Sequence, residues 1–224
     1  LNTTLESILT SLKNETILTN KEYATKLGIA QSASITTVKP SGTVSQLVDS
    51  ASGIHPRHSP YYIRTVRADY KDPLAVFMKE KGVPCEVDVT NPSNLVFSFP
   101  SKSPIGAIHR SDRSALASLE HYLLFKRYWC EHNPSITVSV KEREWVSVGA
   151  WVYENMEDIG GVSFLPDTDH VYRQAPYQEC TQQEFEKMEA AMPVLNWDEF
   201  NAYELEDMTT GMQELACVSG YCEV

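Results

Sequence analysis

Two cysteines lie five positions apart at the carboxyl end of the chain, Cys217 and Cys222. Gly220 lies between them, and a glycine allows the backbone to turn so that two cysteine Cα atoms come within disulfide range. A thiol pair at a chain end can also move over a distance, which suits thiol–disulfide exchange. The alternative is a frayed terminus with two incidental thiols. The spacing alone leaves both interpretations open.

A second segment has the composition of an anion-binding loop. A β-branched run at residues 33–38 is followed by Pro40, a glycine-containing turn and a stretch that favours a helix. The first N–H groups of a helix have no intrahelical acceptor, and glycine allows a ligand to approach the backbone closely. The pattern predicts either a phosphate-binding loop or an ordinary Pro-Gly turn with a hydroxyl N-cap. The residues of this loop are Ser41, Gly42, Thr43, Val44 and Ser45.

The other cysteines occur singly, at Cys85, Cys130 and Cys180. Five sparse cysteines differ from the dense, paired set of a small secreted domain, so we expect a cytoplasmic protein in which these three thiols are structural. No second Cys or His pair has metal-binding spacing, and the sequence therefore predicts no metal site.

The net charge of −11 is unevenly distributed along the chain. Residues 1–110 hold 12 Lys and Arg against 9 Asp and Glu, a balance of +3, whereas residues 111–224 hold 7 against 21, a balance of −14. The acidic half disfavours a nucleic-acid partner. With no signal peptide and no apolar run long enough to cross a bilayer, we expect no membrane association. Because the first residue is Leu rather than Met, we expect a fragment of a longer protein.

The elements that must position these residues alternate between helices and strands, with separations too long for tight hairpins, and this predicts an α/β architecture. The predicted helices are residues 1–33 ending near Leu27 and Gly28, a short one starting at Val44, Arg113–His132 capped by Ser111 or Asp112, and one opened by the capping box Thr181–Glu184 and ending near Pro193. The predicted strands are residues 33–38, Leu95–Phe99 and Ser135–Val140. The acidic segment beyond Trp197 predicts a flexible arm, and residues 193–217 would span roughly 80 Å at about 3.3 Å per residue.

Seven segments of the sequence occur in a specific order: TTVKPSGTVS at 36–45, ASGIHP at 51–56, YYIR at 61–64, WCEHNPS at 129–135, VGAWVYE at 148–154, QAPY at 174–177 and QELAC at 213–217. Together they resemble the C-terminal part of adenosylcobalamin-dependent (class II) ribonucleotide reductases, from about Gln31 to the end of the chain. The resemblance implies the later strands of a ten-stranded α/β barrel over residues 1–200, followed by a flexible redox-active tail over residues 201–224.

The resemblance also implies roles for both candidate sites. The loop at residues 41–45 would bind the phosphates of a ribonucleotide, and Cys217 with Cys222 would be the tail dithiol. In this family a thiyl radical, generated from adenosylcobalamin, starts the reduction of the ribose, and two active-site cysteines become a disulfide. The tail dithiol reduces that disulfide and is itself reduced by thioredoxin. No Asn-x-Cys-x-Glu motif of the radical cysteine occurs here. The radical site must then lie in a preceding, N-terminal part of the reductase, and this chain alone should be inactive.

For adenosylcobalamin the resemblance gives only candidate contacts, in the blocks around residues 52–55 and 172–177. The Asp-x-His-x-x-Gly motif of enzymes that ligate cobalt through histidine is absent. A turn at His55 and core packing at Tyr177 are equally compatible with the sequence. The candidates are Ser52, Gly53, Ile54, His55, Tyr172, Gln174 and Tyr177.

Two alternatives remain at this point. One is the large subunit of the di-iron (class I) reductases, which shares the barrel, the phosphate loop and the tail cysteines. Tyr61 and Tyr62 do not support it, since the following Ile63–Arg67 segment predicts an ordinary strand or helix edge. The other alternative is a non-catalytic module that binds nucleotide or thioredoxin. The sequence does not distinguish a diphosphate from a triphosphate substrate.

Overall fold

The computed structural model describes residues 4–167 and 173–204, together with the backbone of two short strands at residues 217–218 and 221–222. The α-helices are α1 (Leu5–Leu27), α2 (Val44–Leu47), α3 (Pro73–Glu80), α4 (Ala115–Tyr128), α5 (Trp145–Glu154) and α6 (Gln182–Ala191). The strands are β1 (Tyr61–Asp69), β2 (Cys85–Val87), β3 (Asn94–Lys102), β4 (Thr137–Val140), β5 (Ser163–Pro166), β6 (Tyr177–Glu179), β7 (Cys217–Val218) and β8 (Tyr221–Cys222). Short 3-10 helices occur at Arg110–Asp112, Glu142–Glu144 and Trp197–Ala202.

The chain forms two compact units, each made of separate stretches of sequence. The described part of the first unit covers residues 4–57 and 108–167, and that of the second covers residues 58–107 and 173–204 with the strands β7 and β8. Helices and strands are mixed throughout, so the predicted α/β class is confirmed.

In the first unit a parallel pair of strands, β4 and β5, packs with helices α4 and α5. Alternate residues of β4, Val138 and Val140, are buried, as expected for a strand with one face on a core. They join Leu119 and Tyr122 of α4 in a cluster that also includes Ile54. The residue that precedes His55 is therefore fixed in the core of this unit.

In the second unit four strands form an antiparallel sheet in the order β2-β3-β1-β6. Phe77 of α3 and Phe97 of β3 are both fully buried, and Phe97 belongs to the hydrophobic cluster at the core of this unit. Phe77 also contacts the rings of Trp197, Phe200 and Tyr203 at centroid distances of 5.3–5.7 Å. The segment around residues 197–203 is thus packed against α3.

Local sequence signals located several helix ends correctly. Helix α1 ends at Leu27 because Gly28 adopts a left-handed conformation with φ 67° and its N–H bonds back to Ala24 and Thr25. The predicted capping box at Thr181 and Glu184 opens α6. Helix α4 is capped by Ser114 rather than by the predicted Ser111 or Asp112, which lie in the preceding 3-10 helix.

The predicted strand at residues 33–38 is wrong: this segment forms no strand. Its hydrogen bonds go to an irregular loop, where the Thr36 carbonyl accepts from the N–H groups of both Glu131 and His132, and the Val38 carbonyl accepts from Ser135. The Thr36 hydroxyl donates to the carbonyl of Trp129 at 2.5 Å. These bonds involve a side chain and isolated carbonyls rather than the regular series of backbone hydrogen bonds between two strands. The β-branched residues of this segment are therefore not paired in a sheet.

Candidate functional site

The loop at residues 41–45 lies at the entrance to α2, as predicted. The N–H of Ser45 donates to the Ser41 hydroxyl at 3.0 Å, and the Ser45 hydroxyl donates to the Ser41 carbonyl at 2.5 Å. Ser45 is buried, whereas Thr43 and Val44 are exposed. The two serines therefore close the turn by bonding to each other, and the residues between them face solvent.

Two backbone donors of this loop are available to a ligand. Among the described residues, the N–H groups of Thr43 and Val44 have no acceptor, and no side chain caps α2 at Thr43. Since α2 has only four residues, its dipole is small, and the local N–H groups and the Thr43 hydroxyl carry the capacity to bind an anion. The nearby Lys39 ammonium is bonded to the Asn133 carbonyl and the Ser135 hydroxyl, at 2.9 and 2.8 Å.

Ser52, a predicted cofactor contact, bonds instead to the loop. The N–H of Ser41 donates to the Ser52 hydroxyl at 2.8 Å, and that hydroxyl donates to the Ser41 carbonyl at 3.1 Å. Gly53 follows with φ +59°, and a Cβ at this position would lie 3.1 Å from the Lys39 carbonyl oxygen. A glycine is required here both by its conformation and by the close approach of the two backbones. The turn at residues 52–55 and the loop form one packed cluster.

His55 is buried, and both of its ring nitrogens have hydrogen-bond partners. Nε2 accepts from the backbone N–H of Thr137 at 2.9 Å, so the proton lies on Nδ1, which donates to the Ser52 carbonyl at 2.8 Å. Burial lowers the pKa of His55 below its ordinary value, against the opposing effect of the bond to Ser52. His55 is a neutral imidazole that joins the turn to strand β4.

In the second unit, the side chain of the predicted contact Gln174 is also fully engaged. Gln174 is buried with φ 61°; its Oε1 accepts from the N–H of Val89 at 2.9 Å and its Nε2 donates to the Val87 carbonyl at 2.8 Å. Its carbonyl accepts from Arg67 at 2.9 Å. Gln174 fixes the residues before β6 against the end of β2. Tyr172 lies outside the described residues.

Tyr177 lies on β6, where a guanidinium and two rings contact its ring. The Arg64 guanidinium lies 4.5 Å from the ring centroid, and the His58 ring stacks at 5.5 Å with an interplanar angle of 27°. Tyr62 contacts the same ring at 5.7 Å. Tyr177 is half-buried and makes these contacts within the second unit, and its contact with the cofactor stays a prediction.

The tail contains a short antiparallel strand pair at the two cysteines. Cys217 of β7 is the register partner of Cys222 of β8, and Val218 pairs with Tyr221. Directly opposed residues of antiparallel strands have Cα atoms about 4.5–5.5 Å apart, which lies within the range that a disulfide requires. The remainder of the predicted flexible arm, residues 205–216, lies outside the described residues.

The three single cysteines have the properties expected of structural thiols. Burial raises the pKa of Cys85 and of Cys130, and burial together with the Glu184 and Glu179 carboxylates raises that of Cys180. A raised pKa leaves less reactive thiolate at neutral pH.

Across the described residues no group of three or more His, Cys, Asp or Glu side chains is placed to hold a metal ion. In the same residues no helix is both long and apolar enough to span a membrane.

A polar cluster that sequence reasoning missed lies beside the segment leading into the loop. The Asn133 Oδ1 accepts from the Tyr122 hydroxyl at 2.8 Å and from the Gly161 N–H at 3.1 Å, while its Nδ2 donates to the Gly161 carbonyl at 3.1 Å. The Asn133 carbonyl accepts from Lys39 and from the Thr37 hydroxyl. The Gly160-Gly161 pair was the signal in the sequence, since adjacent glycines mark a close approach of two backbones or side chains.

Comparisons with known proteins give the same family as the sequence motifs. The chain is 30% identical over 193 residues to a probable adenosylcobalamin-dependent ribonucleoside-triphosphate reductase of Dictyostelium discoideum, a match that covers 84% of this chain and 25% of the relative. It is 24% identical over 221 residues to the adenosylcobalamin-dependent ribonucleoside-triphosphate reductase of Lactobacillus helveticus, which covers 95% of this chain and 29% of the relative. The resemblance to the adenosylcobalamin-dependent ribonucleotide reductases is confirmed.

The fold comparison agrees with these reductases. A crystal structure of a B12-dependent class II ribonucleotide reductase superimposes with a TM-score of 0.74 at 23% identity, over 91% of this chain and 29% of that one. No family model matches the chain. The chain spans about a quarter of the length of the curated reductases it matches. Because these relatives carry adenosylcobalamin in their names, the di-iron class is not favoured.

Proposed function

We propose that this chain is part of an adenosylcobalamin-dependent ribonucleoside-triphosphate reductase, to which it contributes the substrate-phosphate loop and the tail dithiol. Similarity to reductases with this activity in their names, over 84% and 95% of the chain, supports the reaction. The structural observation that carries the proposal is the pair of N–H donors without an acceptor among the described residues, at the exposed residues Thr43 and Val44 of the loop that the family resemblance assigns to phosphate. The names of the relatives favour a triphosphate substrate.

In the loop, binding would rely on hydrogen-bond donors rather than on a charged side chain. The N–H groups of Thr43 and Val44 and the Thr43 hydroxyl are suited to phosphate oxygens, and Gly42 allows the close approach. Lys39 lies next to the loop, but its ammonium is bonded to Asn133 and Ser135. We therefore expect the loop to orient the phosphates, with further positive charge supplied from outside these residues.

At the tail, Cys217 and Cys222 would regenerate the active-site cysteines by thiol–disulfide exchange. One tail thiolate attacks the active-site disulfide to give a mixed disulfide and releases one active-site thiolate. The second tail thiolate then attacks the tail sulfur of that mixed disulfide and releases the other active-site thiolate. The tail is left as a disulfide, which a dithiol protein of the thioredoxin class reduces. The register of Cys217 opposite Cys222 supports the ability of this pair to form a disulfide.

The contacts of residues 197–203 support a tail whose first residues are anchored rather than free. Phe200 and Tyr203 pack on Phe77, and the Tyr203 hydroxyl donates to Glu80 at 2.7 Å. A tail attached at Tyr203 reaches roughly 46 Å over the 14 residues to Cys217, at about 3.3 Å per residue, compared with the roughly 80 Å expected for an arm starting at Pro193. We retain residues 1–200 as part of a ten-stranded barrel and residues 201–224 as the redox tail, with the first residues of the tail anchored on α3.

Adenosylcobalamin enters the proposal through the relatives, and the predicted contacts with it stay predictions. The hydroxyl of Ser52, both ring nitrogens of His55 and the amide of Gln174 are bonded within the protein, and Ile54 is buried. His55 is therefore not placed to ligate cobalt, and we derive no catalytic step through these residues. In full, the proposed protein acts in the cytoplasm with a ribonucleotide, adenosylcobalamin, a thioredoxin-like reductant and the N-terminal part of the reductase.

The phosphate loop is tested in the intact reductase by Gly42→Val. A branched side chain should obstruct the approach of phosphate to the backbone and raise the KM for the nucleoside triphosphate, and an unchanged KM would refute the loop assignment.

The class of reductase is tested by assaying the same protein with adenosylcobalamin and no second subunit. Activity under these conditions supports the proposal, whereas dependence on a metal-containing partner contradicts it.

A further inference from the structure

One continuous chain of hydrogen bonds connects the loop at residues 41–45 to strand β4. It runs from the Thr137 N–H to Nε2 of His55, and from Nδ1–H of His55 to the Ser52 carbonyl. The Ser52 hydroxyl then bonds to both the N–H and the carbonyl of Ser41. Ser52 and His55, which the family resemblance gives as candidate cofactor contacts, thus bond to the loop and to β4.

We propose that Ser52 and His55 are positioning residues for the substrate-phosphate loop, which they hold at a fixed place relative to β4 before the nucleotide binds. This inference rests on the phosphate-binding function proposed for the loop. A loop that is fixed in its bound conformation loses less conformational freedom when the ligand arrives, and this raises affinity without any new contact. Neither Ser52 nor His55 would need to touch the nucleotide.

The geometry allows little freedom at either residue. Ser52 and His55 are both buried, so a broken bond would leave a polar atom without water. Thr137 N–H can only donate, which requires the neutral Nδ1–H tautomer of His55. Ile54, between them, belongs to the core of the first unit. Gly53 brings the turn into contact with the Lys39 backbone, immediately before the loop.

The two nitrogens of His55 suggest two informative variants. His55→Asn retains a donor near the position of Nδ1 and loses the acceptor for Thr137, whereas Ser52→Ala removes the bonds to Ser41 directly. Each variant breaks the same chain at a different point. Acting in series, they should be non-additive: the double variant should raise KM no further than the more severe single variant.

The experiment measures KM and kcat for a nucleoside triphosphate in the intact reductase. We expect Ser52→Ala, which loses two buried hydrogen bonds, and His55→Asn, which loses one, each to raise KM about tenfold and to change kcat less than twofold. Ser118→Ala is the matched control, since Ser118 is a buried serine of the same unit whose hydroxyl donates to the Ser114 carbonyl at 3.1 Å. His121→Asn is the control for the histidine, since His121 lies on α4 of the same unit and burial lowers its pKa as well.

The outcomes separate this inference from the proposed function. If Gly42→Val raises KM while the Ser52 and His55 variants behave like Ser118→Ala, the loop assignment survives and the positioning role is overturned. If Gly42→Val leaves KM unchanged, the loop assignment itself is wrong. If the Ser52 and His55 variants lower the thermal midpoint but the folded enzyme keeps its original KM, the two residues are structural only and the inference is refuted.

Discussion

Gly160 lies where a single added methyl group would collide with Asn133. A Cβ built at Gly160 is 2.4 Å from the Asn133 Oδ1, about 1 Å closer than an ordinary contact. Asn133 would have to move, and it cannot do so without breaking its bonds to Tyr122 and to the N–H and carbonyl of Gly161. Three hydrogen bonds at a net value of about 1 kcal/mol each predict that Gly160→Ala destabilises this region by roughly 2–4 kcal/mol.

Hydrogen–deuterium exchange of the intact reductase is the suitable assay, because a large protein does not unfold in a single step whereas exchange reports local opening. Backbone amides at residues 131–137, next to Asn133, should exchange about 30- to 1000-fold faster in the variant if they exchange through this local opening. Gly161→Ala is the matched control, since its added Cβ would lie 3.4 Å from Asn133, an ordinary contact. Equal exchange in the two variants would show that a Cβ at Gly160 does not displace Asn133 from its hydrogen bonds.

Three further predictions concern the stability of the two units. Because burial lowers the pKa of His55, the unfolded chain protonates this imidazole at a higher pH than the folded protein does. The free energy of unfolding therefore contains the full contribution of neutral His55 above pH 6.5 and loses that contribution as the pH falls below 6.5. The thermal midpoint should therefore fall less between pH 7.5 and 5.5 in His55→Asn than in the wild type, and an equal fall contradicts this. Arg67→Gln leaves the Asp88 carboxylate, 1% exposed, without the cation 3.0 Å away, and hydrogen–deuterium exchange of the intact reductase should show the local opening free energy around Asp88 lowered by about 3–5 kcal/mol; a change under 1 kcal/mol would contradict a buried ion pair. Thr181→Ala removes the N-cap of α6 and should lower the opening free energy of that helix by about 1 kcal/mol in the same exchange measurement, whereas no change would show that the capping box is dispensable.

The parts of the fold that the sequence predicted well are those determined by neighbouring residues. Gly28 ends α1 through its left-handed conformation, and Thr181 opens α6 through a bond three residues along the chain. Both signals are local. Residues 33–38 have the composition of a strand, but their partners are residues 129–135, almost a hundred positions away, and these supply an irregular loop. Composition indicates an extended conformation without specifying what pairs with it.

In the candidate site, too, local features were predictable from the sequence and long-range contacts were not. The loop at residues 41–45 was recognisable because its glycine and hydroxyl residues precede a helix start. The bonds of Ser52 to Ser41 and of His55 to Thr137 were not predictable, since they depend on how the turn packs against the loop and β4. Family resemblance placed Ser52 and His55 near a cofactor, whereas their hydrogen bonds connect them to the loop. The anchoring of Tyr203 on α3 was hidden for the same reason, in a segment whose acidic composition suggested a free arm.

Single and multiple turnovers of the intact reductase with Cys217 or Cys222 replaced by Ser separate a regenerating role of the tail dithiol from a role in the reduction of the ribose itself. Prereduced variant enzyme should form about one equivalent of deoxynucleotide per active site at close to the wild-type rate. With the thioredoxin-class reductant it should then stop, because the active-site disulfide is no longer reduced. Loss of the first turnover as well, or sustained turnover with thioredoxin, would contradict a tail dithiol that serves only to regenerate the active-site cysteines.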